Sequence, residues 1–252
     1  RCDIRDRDQL IGLFKEARPE VVFHLAARSL VLESYRTPVS TFDVNVMGTV
    51  NVLEAIRQTP SVRAAVMVTT DKCYEDHGRR EPYSETDPLG GHDPYSASKG
   101  AAEIVIAAYR RSFFSGAGAT GIASARSGNV IGGGDWSEDR IVPDFFRALE
   151  AGLPLAIRNP NAIRPWQHVL EPLNGYLLLA THLMADPTGF AGAWNFGPST
   201  DQVHTVRDVA EALITMTGKG TWGSTPATVH EAALLMLDSG KARTRLGWRP
   251  RL

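Results

Sequence analysis

Val68-Thr69-Thr70-Asp71-Lys72-Cys73-Tyr74 and, further along, Pro94-Tyr95-Ser96-Ala97-Ser98-Lys99-Gly100 are the two pieces around which the chain is organised. In the first, the apolar run Ala64 to Val68 gives way to hydroxyl, carboxylate and ammonium groups in consecutive positions. Buried parallel strands end in this way at binding sites, because ligands of open α/β sheets collect outside the carboxyl ends of the strands. The second piece opens a helical pattern through Ile104, Ala107 and Ala108. Tyr95 and Lys99, four apart, share one face of that helix. A phenol with a pKa of about 10 is a poor base at neutral pH, and a nearby ammonium favours the phenolate by about 1.4 kcal/mol per pKa unit. A solvated helix edge gives the same spacing by chance. The strand end carrying Thr70-Asp71-Lys72 just upstream is what gives the pair chemical weight.

Working outward, Asp6 caps a short helix with Leu10, Leu13, Phe14 and Ala17 on one stripe, and Pro19 ends it. Val21 to Ala27 reads as a fully buried strand, with His24 as a satisfied core histidine. Ser40 to Arg57 reads as a helix with Phe42, Val46, Thr49, Val50 and Leu53 inward and Asn45 toward the sheet. The strand Ala64 to Thr69, the helix Ser96 to Phe114 and the strand Gly121 to Arg126 follow. This alternation predicts a parallel sheet. Glycines and prolines then thicken between Gly128 and Pro165, and Gly132-Gly133-Gly134 reads as a loop because Asp135 follows with no helix in register. A strand and helix return over Gln167 to Met184, with Leu170, Leu173, Leu177 and Leu178 apolar. The strand Ala193 to Gly197 precedes a helix capped by Thr205 that runs through Val209, Leu213 and Met216.

The expected fold is α/β, a Rossmann-like doubly wound parallel sheet with a smaller mixed α/β substrate-binding lobe. Residues 1–128 and 164–194 would build the dinucleotide-binding part, and 129–163 and 195–252 the lobe. Such a fold begins with a strand, a glycine-rich turn and a helix whose N-terminus holds a pyrophosphate. No stretch of this chain has that order. The first strands of the sheet are therefore expected to be absent, the strand at Val21 to be left as an edge, and dinucleotide binding by this chain alone to be weak.

With 27 basic and 28 acidic residues, the chain has no general attraction to nucleic acid or to an anionic membrane. An anionic ligand must be held by a local cluster. Cys2 and Cys73 make no disulfide framework, and the histidines show no metal-ligand spacing, so no metal is expected. The expected compartment is a reducing cytoplasm.

A Ser/Thr followed by a Tyr with Lys four later resembles the extended short-chain dehydrogenase/reductase superfamily, and Asn45-Val46-Met47-Gly48-Thr49 resembles its asparagine helix. Within it, Thr70-Asp71-Lys72-Cys73-Tyr74 resembles the Thr-Asp-Glu-x-Tyr stretch of nucleotide-sugar 4,6-dehydratases, with Lys72 where the thymidine-diphosphate branch has Glu. Gly90 to Tyr95, Ala125 to Trp136 and Arg158 to Pro172 are similar to the branch acting on CDP-glucose. The resemblance implies a redox-neutral hydro-lyase with NAD as cofactor and CDP-glucose as substrate. It places Thr70, Asp71, Lys72, Tyr95 and Lys99 in catalysis. Asp3, Ile4, Leu25, Ala26, Ala27, Asn45 and Thr69, together with Tyr95 and Lys99, would line the cofactor. Asn129, Arg140, Ile141, Arg164, His168 and Asn195 would hold the substrate, with His230 and Glu231 near its nucleotide. A homodimer or homotetramer through the helices 40–57 and 96–114 is also implied. Two other readings stay open: a 4-epimerase or reductase of the same fold, for which Asp71 has no use, and a non-catalytic binding protein.

Overall fold

A computed structural model describes the whole chain except residues 77, 79–80, 117, 200–202 and 227–233. In chain order the first half comprises α1 (Arg7–Ala17), β1 (Val21–His24), α2 (Val31–Arg36), α3 (Pro38–Phe42), a π-helical turn (Asp43–Met47), α4 (Gly48–Arg57), β2 (Ala64–Val68) and α5 (Pro94–Phe113). The second half comprises β3 (Gly121–Ser127), β4 (Val130–Ile131), α6 (Ile141–Glu150), β5 (Leu155–Ile157), β6 (Ile163–Arg164), β7 (Gln167–His168), α7 (Leu170–Ala185), β8 (Gly192–Phe196), β9 (His204–Thr205), α8 (Val206–Thr217), β10 (Trp222–Ser224) and α9 (Gly240–Arg245).

The main sheet has the order β1-β2-β3-β8, and every pairing is parallel. Its central strands are covered on both faces, which is why β2 is apolar throughout. Ala65 and Met67 pack with Leu53, Ile56, Ile106 and Ile122 on one side. Ala64 and Val66 pack with Tyr176, Leu179, Leu183 and Trp194 on the other.

Four expectations about single elements need correction. The first strand stops at His24 and is not fully buried. It is the sheet's edge, and Phe23 and Leu25 are exposed because helices cover only its Val22 and His24 face. The helix 40–57 is interrupted by the π turn, and the wider turn rotates its stripe. Phe42 consequently faces solvent, while Asn45 is buried. In α7, Leu170 and Leu177 are exposed, and Tyr176, Leu179 and Leu183 do the packing. The helix α5 also begins earlier than Ser96, at Pro94, because Asp93 caps it by accepting from the Ser96 N–H at 3.0 Å.

The smaller lobe has its own core, in which Phe145 of α6, Leu155 and Ile157 of β5 and Ala210 of α8 meet. A Thr205/Asp208 capping box starts α8. The segment 195–252, expected wholly in this lobe, is divided. Ala242, Leu246 and Trp248 return to the main sheet, where the Trp248 indole donates to the Glu171 carbonyl at 3.0 Å. Among the described residues no helix is long and apolar enough to cross a membrane, and no cluster of side chains could hold a metal ion.

His24 is buried on β1 in contact with Thr49 Oγ1 at 3.2 Å. Burial, assisted by the charge of Lys99, pushes its pKa down to about 4. The unfolded chain, with histidine near 6.5, binds more protons between those values, so stability is present above about pH 6.5 and is lost as pH falls toward 4. The loss is expected to be about 3 kcal/mol. His24→Gln should flatten that part of a urea-melt pH profile, and an unchanged profile would remove His24 as its source.

Candidate active site

Beyond Val68 the chain stays extended through Thr70 and then tightens into a 3₁₀ turn over Asp71–Cys73. Thr70 Oγ1 accepts the Lys72 N–H at 3.3 Å and donates to Asp71 Oδ1 at 3.0 Å. The same hydroxyl is hydrogen-bonded to the Tyr95 phenol. A carboxyl, a hydroxyl and a phenol from two elements thus form one continuous chain.

Asp71 is 2% exposed, and its second oxygen, Oδ2, has no hydrogen-bond partner among the described residues. Gly128 and Pro165 close over it. A Cβ at Gly128 would lie 3.0 Å from Oδ2 and would overlap the Pro165 ring, so this position has room only for glycine. Burial pushes the Asp71 carboxyl up, against the opposing charges of Lys72 and Arg164. Burial thus favours the neutral acid, the form that can give a proton away.

Tyr95 is pushed up to about 12 by burial, with the Thr70 hydrogen bond and Arg140 opposing. Here the structure departs from the expectation that Lys99 sets the phenol. Lys99 Nζ donates instead to the Val68 carbonyl at 3.3 Å, and burial lowers its pKa to about 8 while Glu103 works the other way. Lys99 is drawn to the strand end because a buried ammonium needs an acceptor, and the Val68 carbonyl supplies one.

The Tyr95 backbone is gripped on both sides. Its N–H donates to Ser34 Oγ at 3.1 Å, and its carbonyl accepts from Ser98 Oγ at 2.7 Å. Asn45 stands behind this grip. Its amide donates to Ser98 Oγ and to the Arg28 carbonyl, and its oxygen accepts the Arg28 N–H at 2.8 Å. Asn45 therefore spends both donors on protein and positions rather than contacts. Thr69 is likewise committed, donating to Glu103 Oε1 at 2.5 Å. Leu25 and Ala26 are exposed, and Ala27 half-buried, at the open end of β1. Asp3 is exposed and hydrogen-bonded by Arg5, which holds its carboxyl down at about 2, and Ile4 packs on Gly48.

On the other side of the site, Arg164 is buried near Asp71, and Arg140 reaches Ser29 Oγ at 3.4 Å with its charge felt at Tyr95. Ile141 opens α6 beside it. The Asn129 carbonyl is taken by the Gln167 N–H at 3.0 Å. His168 is exposed, its Nδ1 accepting from the Leu170 N–H at 3.3 Å. Asn195 is not a ligand-facing group. It is 0% exposed and accepts from Tyr74, and it donates to the carbonyls of Tyr83 and Asp238. Its amide is consumed in joining β8 to the segments around it. His230 and Glu231 lie outside the described residues.

The sequence reading missed a buried ion pair beneath the site, Glu103 with Arg126 at 2.7 Å. Arg126 also donates to the Tyr74 hydroxyl at 2.8 Å and lies over that ring at 4.9 Å. The available signal was a charge ending the apolar strand at Arg126 and an acid one turn beyond Lys99.

The model of the GDP-mannose 4,6-dehydratase family matches residues 1–252. The chain belongs to this family. It is 45% identical to a CDP-glucose 4,6-dehydratase of Salmonella typhimurium over 99% of its length and 71% of the relative's. It is 29% identical to a dTDP-glucose 4,6-dehydratase of Neisseria gonorrhoeae, over 99% of the chain and 75% of that protein. Among solved structures, a dTDP-glucose 4,6-dehydratase of Streptomyces venezuelae with NAD bound superposes with a TM-score of 0.86 at 25% identity, covering all of this chain and 74% of the other. A UDP-glucose 4-epimerase of Thermotoga maritima with UDP-glucose has the same TM-score of 0.86 at 25% identity, covering all of this chain and 78% of the other. The family's Rossmann-type α/β fold is the one seen here, and its dehydratases are hydro-lyases.

Proposed function

We propose that the protein carrying this chain converts CDP-glucose to CDP-4-keto-6-deoxyglucose by NAD-dependent, redox-neutral dehydration. The observation that carries this reading is Asp71, a fully buried acid with a free oxygen, joined through Thr70 to the Tyr95 phenol. The 45% identity to the Salmonella enzyme supports the choice of nucleotide. A 4-epimerase would leave that acid without a task.

The residues suit NAD. Lys99 has one carbonyl acceptor and an ammonium with donors to spare, and exposed Leu25 and Ala26 make an apolar ledge at the carboxyl end of β1. Asp3, Ile4 and Ala27 complete the cofactor side in this reading, with Asn45 and Thr69 behind it as positioning groups. NAD, when bound, supplies the hydride acceptor for carbon 4 and the donor for carbon 6. Tyr95 takes the proton of the carbon 4 hydroxyl in its phenolate form, which the Thr70 hydrogen bond and the charge of Arg140 favour against burial. Oxidation there acidifies the carbon 5 proton. Asp71 protonates the hydroxyl that leaves carbon 6. Arg164 and Arg140 suit the diphosphate, since a guanidinium fork binds phosphate oxygens in pairs. Asn129, Ile141 and His168 extend that surface. Supplied with NAD and CDP-glucose, the protein is expected to release a 4-keto-6-deoxy sugar nucleotide without net NADH, and stoichiometric NADH would overturn the reading.

Lys72 is half-buried on the same turn as Asp71. As the carbon 5 base it must shed its proton; otherwise it orients the sugar. Lys72→Glu should retain part of the activity and Lys72→Met should lose solvent-proton exchange at carbon 5. Normal exchange in the methionine variant would assign Lys72 to orientation alone.

Met47, Ile104 and Phe113 are exposed on the helical path from α3 to α4 and on α5. A homodimer that buries them is the association proposed, and sedimentation as a monomer would rule it out. Both cysteines are free thiols, which suits a reducing cytoplasm.

A further inference from the structure

Glu103 follows Lys99 by four residues on α5, so both point to one side of the helix, toward the sheet. The Glu103 side chain is 3% exposed. Its Oε1 accepts from Thr69 Oγ1 at 2.5 Å, and its Oε2 accepts from Ser124 Oγ and from Arg126 Nη2, both at 2.7 Å. Such a pair at best breaks even against apolar side chains of the same volume. Stability alone does not account for it.

The surroundings of Lys99 supply a reason. Three titratable groups face it from the elements packed around it: Glu103 on its own helix, Cys73 from the turn after β2, and His24 from β1. Burial pushes the Cys73 thiol up and His24 down to about 4, so both are neutral at pH 7. Burial also works against charge on Glu103, but the Arg126, Thr69 and Ser124 hydrogen bonds outweigh it and hold the carboxylate below its ordinary range. Arg126, on β3, is bonded to the Oε2 oxygen of that carboxylate. Glu103 is thus the anion that Lys99 meets among the described residues.

We propose that Glu103 is a positioning residue for the reaction, tying the strand end at Thr69 to the helix that carries Tyr95 and Lys99 and serving as the counter-charge of Lys99. It rests on the assignment of Tyr95 and Lys99 to catalysis, but its test needs no turnover, so the two can fail separately. The chain has five lysines, Lys15, Lys72, Lys99, Lys219 and Lys241, few enough for each ¹³Cε resonance to be followed. Lys99 is identified by the signal lost in Lys99→Arg.

In the unaltered 252-residue chain, Lys99 should titrate near 8. In Glu103→Gln combined with Arg126→Met, which removes both buried charges together, its midpoint should fall, because Glu103 and not Arg126 is among the charges that act on Lys99. An unchanged midpoint in the folded double variant would make Glu103 merely structural and overturn the proposal. If the double variant does not fold, Glu103→Asp carries the test. Drawing the carboxylate back by one methylene should lower the Lys99 midpoint in the same direction, and a midpoint equal to that of the unaltered protein overturns the proposal as well.

Discussion

Asp71→Asn is expected to leave oxidation at carbon 4 nearly intact and to slow loss of water by at least about 10²-fold, because general acid catalysis contributes on that scale. Asparagine keeps the volume and the acceptor for Thr70 but has no proton to give. A single-turnover experiment should then show reduced cofactor building up and persisting. Tyr95→Phe should do the opposite and prevent that signal from forming, again by about 10² or more. The raised pKa of Asp71 adds a sign to the same experiment. The neutral acid is the working form, so elimination should weaken as pH rises through its folded value and should not weaken on mild acidification. Equal losses of both signals in the two variants would refute the division of labour.

Arg126→Met alone should be the most destabilising single change at the site. It leaves the Glu103 carboxylate buried without its ion partner, a situation that costs about 3–5 kcal/mol. For a chain of this size that is a fall in Tm of about 10 °C or more. Adding Glu103→Gln should recover most of the loss, since the second change removes the stranded charge. A double variant as unstable as the single one would show that packing around Arg126, including its place over the Tyr74 ring, matters more than charge.

Much of this arrangement was legible before any coordinates. The two buried strands β2 and β3 and the helix behind Tyr95 and Lys99 follow from local pattern. The departures share a cause. The rotated stripe at Phe42 depends on an inserted π turn, which no hydrophobic period announces. The exposure of Phe23 depends on which face of β1 the helices cover, a property of the packing and not of the residues in the strand. Asn195 and Glu103 were misjudged or missed because the fate of a buried polar group is decided by partners far along the chain, such as Asp238 and Arg126. A side chain whose hydrogen bonds are spent on protein looks the same in sequence as one that waits for a ligand.

The return of the last helix to the main sheet also has a mechanical meaning. The chain leaves the sheet after β3, comes back for α7 and β8, departs again for α8 and β10, and returns with α9 and Trp248. Four connections therefore join the two bodies, two of them leaving from the neighbouring strands β3 and β8. A hinge works when a few residues near one axis absorb the rotation. Four connections must bend together, so bending at any one of them is resisted by the other three. The cleft should behave as a stiff bracket, with selection among sugar nucleotides resting on its built shape rather than on a sweep of the lobe.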